Sequence, residues 1–192
     1  MEAQLLADAE RLFPFPLEDL ALDFQVMGAS GVQPGCAEVM VAACRQSALA
    51  PLESLVQEAG LQLEAVEVDS IALGRMLPQG SQQGLVLLRI EAHGTTLYGW
   101  QSGRPQQRLE LSLGMSTITG ALPERLQALF VGEPLPDCLL VASHSPIEPG
   151  RLQSLGSRLN LPCRRVPDLA GLERVDGAMI LACALALGGL RR

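Results

Sequence analysis

Short apolar strands alternate along the chain with helical stripes of leucine, and this pattern predicts a mixed α/β protein. Leu22–Val26 alternates apolar and polar residues, as in a strand with one solvated face. Val39–Cys44 is continuously apolar, which is typical of a strand buried on both faces. A helix should follow, with Ser47 as its N-cap and Gly60 after its last turn. Its apolar residues recur at the spacing of a core face: Leu52, Leu55, Val56 and Ala59.

The segment Pro78–Gly84 has no periodicity and consists of Pro, Gln, Gly and Ser, so we expect it to link two lobes. The pattern before it predicts a strand over Leu61–Val68 and a short helix from Asp69 or Ser70 to Leu77. A further helix is predicted at Ala3–Leu12. The second lobe should hold a strand meander, then alternating helices and strands: Leu85–Glu91, Thr95–Gln101, Gln106–Leu113, Ala121–Val131, Cys138–Ala142, Arg151–Leu159, Pro162–Val166 at the sheet edge and a closing helix over Gly177–Gly188.

Composition narrows the classes of function. The chain has 192 residues, of which 48% are hydrophobic and 18% charged, which is typical of a folded domain and not of a disordered one. Aromatic residues are only 3%, the net charge is −7 and every basic residue is Arg. Binding of nucleic acid through base stacking or through its phosphate backbone is therefore disfavoured. A Walker A nucleotide site is disfavoured as well, because it requires a lysine. The longest uncharged apolar run, Ala178–Leu190, is too short to span a bilayer. We expect no nucleic-acid partner and no direct membrane insertion.

Cysteine and histidine give no metal signature. The five cysteines are odd in number, none forms a CxxC pair, and neither His93 nor His144 stands at zinc-ligand spacing from them. Cysteines inside apolar runs behave as small hydrophobic residues, and free thiols suit a reducing cytosol. The sequence predicts structural thiols and no metal site.

Two predicted strand ends are the candidates for chemistry. One strand ends at Arg89 and Glu91 and turns back through Gly94 and Thr95, and another runs into Ser143 and His144. In a nucleotide-binding α/β lobe, phosphates approach such strand ends, a carboxylate holds Mg²⁺ and bare glycine admits the adenine. Ordinary turns with solvated side chains are the alternative interpretation of both loops.

The order and spacing of several segments resemble the type IV pilus assembly proteins PilM and the related HofM and MshI proteins, of the actin-like ATPase superfamily. The segments that carry the resemblance are Glu10–Val26, Val39–Arg45, Glu58–Leu61, Val66–Leu73, Leu139–Leu161 and Ala182–Leu190. The resemblance implies an α/β (α+β) actin-like, ribonuclease-H-like fragment. Residues 1–77 would form an inserted 1C-type subdomain with its connection to the body, residues 78–84 a linker, and residues 85–192 the second actin-like domain with a reduced 2B region.

The same resemblance implies a cytoplasmic scaffold of a pilus or DNA-uptake assembly platform, held at the inner membrane through partners. The family binds the short cytoplasmic tail of the membrane protein PilN, and other platform proteins or a second copy are further expected partners. The family's N-terminal subdomain, with its first phosphate-binding hairpin, has no counterpart in these 192 residues. A fragment and a naturally short member are both compatible with this.

The resemblance also predicts a degenerate nucleotide pocket. The family's Asp-Ile-Gly phosphate loop is replaced by Arg89-Ile90-Glu91, and its Gly-Gly adenine loop by Ser143-His144. We therefore expect no catalytic residue, no cofactor and no ATPase activity. Two alternatives remain: an ATPase whose Mg·ATP site is completed by a missing N-terminal region, and a GspL-like cytoplasmic domain of type II secretion.

Overall fold

A computed structural model describes residues 5, 7–8, 11–14, 16–76, 85–101, 104–131, 136–166 and 177–189. It divides the chain into two compact units, Met1–Val66 and Glu67–Arg192. Half of the residues of the predicted helix at 3–12 and all of the predicted linker at 78–84 lie outside the described residues.

The first unit is a two-stranded sheet with one helix. The antiparallel strands β1, Leu20–Ala29, and β2, Ala37–Arg45, pair with each other, and the helix α1, Gln46–Glu58, follows directly. Both strands were predicted, but the full burial expected of β2 is wrong. Its inner residues are only half-buried, because a two-stranded sheet with one helix leaves much of its surface uncovered. No described residue of this unit is fully buried.

The N-terminus of α1 is capped from a distant part of the chain. Ser47 was the predicted N-cap, but Arg45 takes that position and its side chain makes no capping bond. Asp19 instead accepts hydrogen bonds from the backbone N–H of Ser47 at 2.8 Å and from its hydroxyl at 2.9 Å. These two bonds hold the pKa of Asp19 below its usual value, and the bond from the Ser47 backbone N–H has the larger effect. This contribution to stability is present above the unfolded pKa and is lost as the pH falls through the folded one.

The apolar face of α1 is largely uncovered. The side chains of Leu52 and Leu55, predicted to be core residues, are 51% and 64% exposed. The strand predicted at Leu61–Val68 is also wrong, because the segment has no regular structure and Leu61 is 66% exposed. An alternating pattern is not sufficient for a strand, since a strand also needs a neighbour with which to pair.

The second unit is a five-stranded mixed sheet with helices on both faces. The strands are β3 Leu85–Ile90, β4 Thr95–Gln101, β5 Arg104–Leu111, β6 Leu139–Ser143 and β7 Cys163–Arg165, in the spatial order β5-β4-β3-β6-β7. The meander β3-β4-β5 is antiparallel, while β6 and β7 add in parallel. The helices are α2 Asp69–Gly74, α3 Ala121–Phe130, α4 Pro149–Leu159 and α5 Ile180–Gly189. These elements were predicted to within a few residues.

Each face of this sheet has its own hydrophobic core. On one face, α3 and α4 bury leucines such as Leu122 and Leu155 against Leu88 and Ile90 of β3. On the other, α2 and α5 cover a core that contains Leu73, Leu87, Tyr98, Trp100, Leu140 and Ile180. Alternation along β3 sends successive side chains to opposite cores, which places the strand at the centre of the unit.

The helix α2 belongs to the second unit, although the sequence assigned it to the first lobe. Asp69 accepts a hydrogen bond from the Tyr98 hydroxyl at 2.8 Å, and the Trp100 indole donates to the Ser70 carbonyl at 2.9 Å. Both aromatic side chains are buried. The boundary between the units therefore falls between Val66 and Glu67, eleven residues ahead of the predicted end of the first domain.

Charge is divided unequally between the units. Residues 1–66 contain ten carboxylates and two arginines, a net charge of −8, whereas residues 67–192 contain eleven carboxylates and twelve arginines, a net charge of +1. Within the described segments, no helix combines the length and the apolarity needed to cross a bilayer.

Candidate functional site

The six candidate residues lie at or beside the carboxyl ends of the neighbouring strands β3 and β6. Strands β3 and β6 are parallel neighbours, with Ile90 aligned to Ser143. Their carboxyl ends therefore carry Arg89 and Glu91 on one side and His144 on the other. The turn between β3 and β4 brings the remaining two candidates to the same end, with Gly94 in the turn and Thr95 as the first residue of β4.

Arg89 and Glu91 form an ion pair with each other. The Arg89 Nη2 atom lies 2.6 Å from Glu91 Oε1, and the two side chains are 24% and 50% exposed. The pair closes across the strand end because side chains two residues apart share a face. The guanidinium has no acceptor atom with which to ligate a cation, and its partner carboxylate brings negative charge to the same place. The positive charge of Arg89 and the negative charge of Glu91 therefore neutralise each other.

The backbone and hydroxyl groups of the adjoining turn are also engaged. The Glu91 N–H donates to the Gly94 carbonyl at 2.8 Å, and the Glu91 carbonyl accepts from Met115 at 2.9 Å. Thr95 is buried, and its hydroxyl donates to the Leu113 carbonyl at 2.5 Å. These bonds hold the turn against residues 113–115 and leave neither the Glu91 N–H nor the Thr95 hydroxyl directed at a ligand.

The β6 loop is closed in a similar way. The Ser143 hydroxyl donates to the Ser145 carbonyl at 2.5 Å, and the His144 N–H donates to the Ile90 carbonyl at 3.0 Å, while His144 itself is exposed. Gly177 packs directly on this loop, since a Cβ atom at that position would lie 2.5 Å from the Ser143 nitrogen. The contact with Gly177 has no signal in the sequence, because the two residues are far apart along the chain.

A polar network beside the strand ends likewise has no signal in the sequence. Asp69 accepts from the Tyr98 hydroxyl and from Arg108 Nε at 3.1 Å, and the Arg108 guanidinium lies 6.0 Å from the centre of the Tyr98 ring. Burial, and then the bond to Asp69, raise the pKa of Tyr98. The network fastens α2 to β4 and β5. Among the described residues no cluster of three or more potential metal ligands occurs.

The chain is similar to known proteins both in sequence and in fold. The family described as Type IV pilus assembly protein PilM matches residues 1–102. A solved PilM-PilN type IV pilus biogenesis complex superposes with a TM-score of 0.74 at 23% identity, over 98% of this chain and 72% of the other. The ethanolamine utilization protein EutJ from Carboxydothermus hydrogenoformans gives a TM-score of 0.59 at 12% identity, over 80% of this chain and 62% of that one. The mixed α/β fold is therefore of the actin-like type, as expected.

Proposed function

Because the chain belongs to the PilM family of type IV pilus assembly proteins, we propose that it is a non-catalytic scaffold of the pilus assembly platform, on the cytoplasmic side of the inner membrane. Its partner on this proposal is the short cytoplasmic tail of a PilN-like membrane protein. One observation carries the non-catalytic part, the Arg89–Glu91 ion pair at the strand end where the family's nucleotide would bind.

The residues at this strand end do not fit a magnesium nucleotide. Arg89 replaces a metal-orienting carboxylate and offers no acceptor to Mg²⁺. Glu91 puts a side chain where the family's phosphate loop has glycine, and its N–H is already bonded to the Gly94 carbonyl. The pairing with Arg89 offsets much of the charge repulsion expected from Glu91 alone. Exclusion therefore rests on occupied space and engaged donors as well as on charge.

Isothermal titration of the chain with Mg·ATP should show no binding at about 1 mM ligand, which corresponds to a binding free energy weaker than about −4 kcal/mol. The midpoint of thermal unfolding should not rise with added nucleotide, because a ligand that does not bind cannot stabilise the folded state. A micromolar dissociation constant that is weakened by Ser143→Ala would contradict the proposal and restore the ATPase alternative.

The first unit supports the proposal of a peptide partner. It has no fully buried residue among those described, and leucines of α1 and of the following segment are exposed. An apolar surface of this kind is typical of an interaction site. Extended peptides bind beside sheet edges, where main-chain hydrogen bonds give affinity and apolar side chains give specificity.

A synthetic peptide of a PilN cytoplasmic tail should bind the 192-residue chain weakly, and more tightly a longer family member that carries the N-terminal subdomain. The reason is that the family's tail lies between that subdomain and the 1C subdomain, of which the chain supplies one side. Leu55→Asp should reduce the remaining binding, whereas Val131→Asp, a control at a 79% exposed residue of the second unit, should not. Equal, tight affinity for both proteins would show that the tail does not bind between the two subdomains.

A further inference from the structure

A groove of about 560 Å³ lies between α4 and the edge strand β7 of the second unit. The helix contributes one continuous stripe of residues to it, and the strand contributes the other wall. Residues that represent the two walls are Leu152, Gly156, Asn160, Leu161, Cys163 and Arg165. A Cβ atom at Gly156 would lie 3.0 Å from the Leu161 carbonyl oxygen, so the missing side chain lets helix and strand approach.

One edge of β7 carries backbone groups that no described strand pairs. The Leu139 N–H donates to the Pro162 carbonyl at 2.8 Å, and the Val166 N–H donates to the Val141 carbonyl at 3.1 Å. Alternate residues of a parallel strand bond to the same neighbour, so the residues between them direct their backbone groups away from β6. The N–H and C=O groups of Cys163 and Arg165 therefore form the outer edge.

The charge around this edge is opposite to that of the whole chain. Residues 149–166 contain four arginines and no carboxylate, in a chain of net charge −7. Arg151 and Arg158 have carboxylate partners, Glu148 at 3.9 Å and Glu124 at 3.0 Å.

The two arginines of β7 differ from these. Arg165 donates to the carbonyl of Ile147, and Arg164 is exposed. Neither lies within ion-pair distance of a carboxylate among the described residues. Burial raises the pKa of the Cys163 thiol to about 11, so the thiol adds no negative charge at neutral pH.

We propose that this groove binds an extended acidic segment of a partner protein, which adds as a further strand to the outer edge of β7. Main-chain hydrogen bonds to Cys163 and Arg165 would align the segment, and its apolar side chains would contact Leu152 and Leu161. Its carboxylates would lie on the opposite face of the added strand, beside Arg164, because consecutive strand residues alternate between faces. Arg165 lines the groove itself and adds positive charge there. Charge complementarity singles out an acidic occupant, and the pattern of an added strand is an established mode of peptide recognition. The site lies in the second unit and is independent of the proposed binding of a PilN-like tail.

The probe is a fluorescein-labelled octapeptide in which Val and Glu alternate, and the matched control peptide has Arg in place of Glu. Fluorescence anisotropy with the full chain should show binding of the acidic peptide alone, which weakens as salt screens the charges. The double variant Arg164→Glu/Arg165→Glu should weaken binding by about tenfold or more, because two attractions become repulsions. Arg125→Glu changes one charge at an exposed position on α3, outside the groove, and should have little effect.

A second variant tests the groove without changing its charge. Ser157→Trp should fill the groove from the exposed side of α4 and abolish binding. Equal binding of the two peptides, or binding that survives both groove variants, would overturn the proposal. Light scattering tests the competing occupant, a second copy of the chain. A dimer of the unmodified chain that is lost in the double variant would assign the groove to self-association and would likewise overturn it.

Discussion

Replacing Trp100 by alanine should lower the free energy of unfolding of the second unit by about 3 to 5 kcal/mol. The indole is 3% exposed and stacks on Tyr98 with ring centres 5.8 Å apart. Its N–H also donates to the Ser70 carbonyl, and its Nε1 atom would lie 3.0 Å from a Cβ atom at Gly74. The truncation therefore leaves both a cavity under α2 and an unpaired carbonyl.

Urea unfolding followed by circular dichroism measures this effect, since fluorescence is lost with the only tryptophan of the chain. Trp100→Phe is the matched control, because it keeps an aromatic ring and removes the N–H donor. Its expected cost, about 1 to 3 kcal/mol, reflects mainly the unpaired carbonyl of Ser70. A loss for the alanine variant no larger than that for the phenylalanine variant would show that packing of the ring contributes little.

Gly114→Ala should destabilise the second unit by more than about 4 kcal/mol, the range of severe backbone conflicts. A Cβ atom at this position would lie 2.7 Å from the His93 Cα atom and would overlap the Ala92 carbonyl. Both neighbours are backbone atoms of the turn between β3 and β4, so no side-chain rotation relieves the clash. The turn would have to move away from residues 113–115, which breaks the bonds that hold Glu91 and Thr95.

Gly150→Ala is the control for this prediction, because nothing lies within 4 Å of the added Cβ atom and the residue is helical. It should be neutral or stabilise by up to about 1 kcal/mol. Urea midpoints give both values, and amide exchange at Glu91 reports the turn directly. Similar midpoints for the two alanine variants would mean that the turn adapts freely and is not clamped by residues 113–115.

The second unit could be predicted from the sequence because its signals are local. The alternation in β4, the apolar run of β6 and the leucine spacing of α3 each reflect a face that the fold covers. When the apolar face of a strand or helix is buried in the fold, its pattern alone identifies the element. It is then not necessary to know which neighbour covers that face.

The errors arise where a neighbour decides the outcome. Leu61–Val68 has the pattern of a strand but no partner, and the side chains of Leu52 and Leu55 have helical spacing but no covering layer. Ser47 looks like a cap, yet a carboxylate 28 residues earlier along the chain does the capping. The helix α2 belongs to the second unit because of its contacts with two aromatic residues of β4, and no local pattern in the sequence predicts those contacts.

For the candidate site, the sequence indicated two separate strand ends, and the structure places them side by side because β3 and β6 are parallel neighbours. The sequence did not predict that the polar groups at these strand ends are engaged within the protein. The spacing of two residues puts Arg89 and Glu91 on the same face of the strand. That spacing permits an ion pair, but it does not establish that the two side chains bond to each other. The bonds to Leu113 and the approach of Gly177 depend on long-range packing.

The division of charge between the two units gives the chain an electrostatic polarity. An anionic surface, such as one of acidic lipid headgroups, repels the net charge of −8 on residues 1–66 and leaves the net charge of +1 on residues 67–192 nearly unaffected. Within about 10 Å of such a surface, where salt screens the field least, the repulsion therefore acts mainly on the first unit. The charge that opposes contact between this protein and an anionic surface is thus carried by residues 1–66 and not by the five-stranded unit.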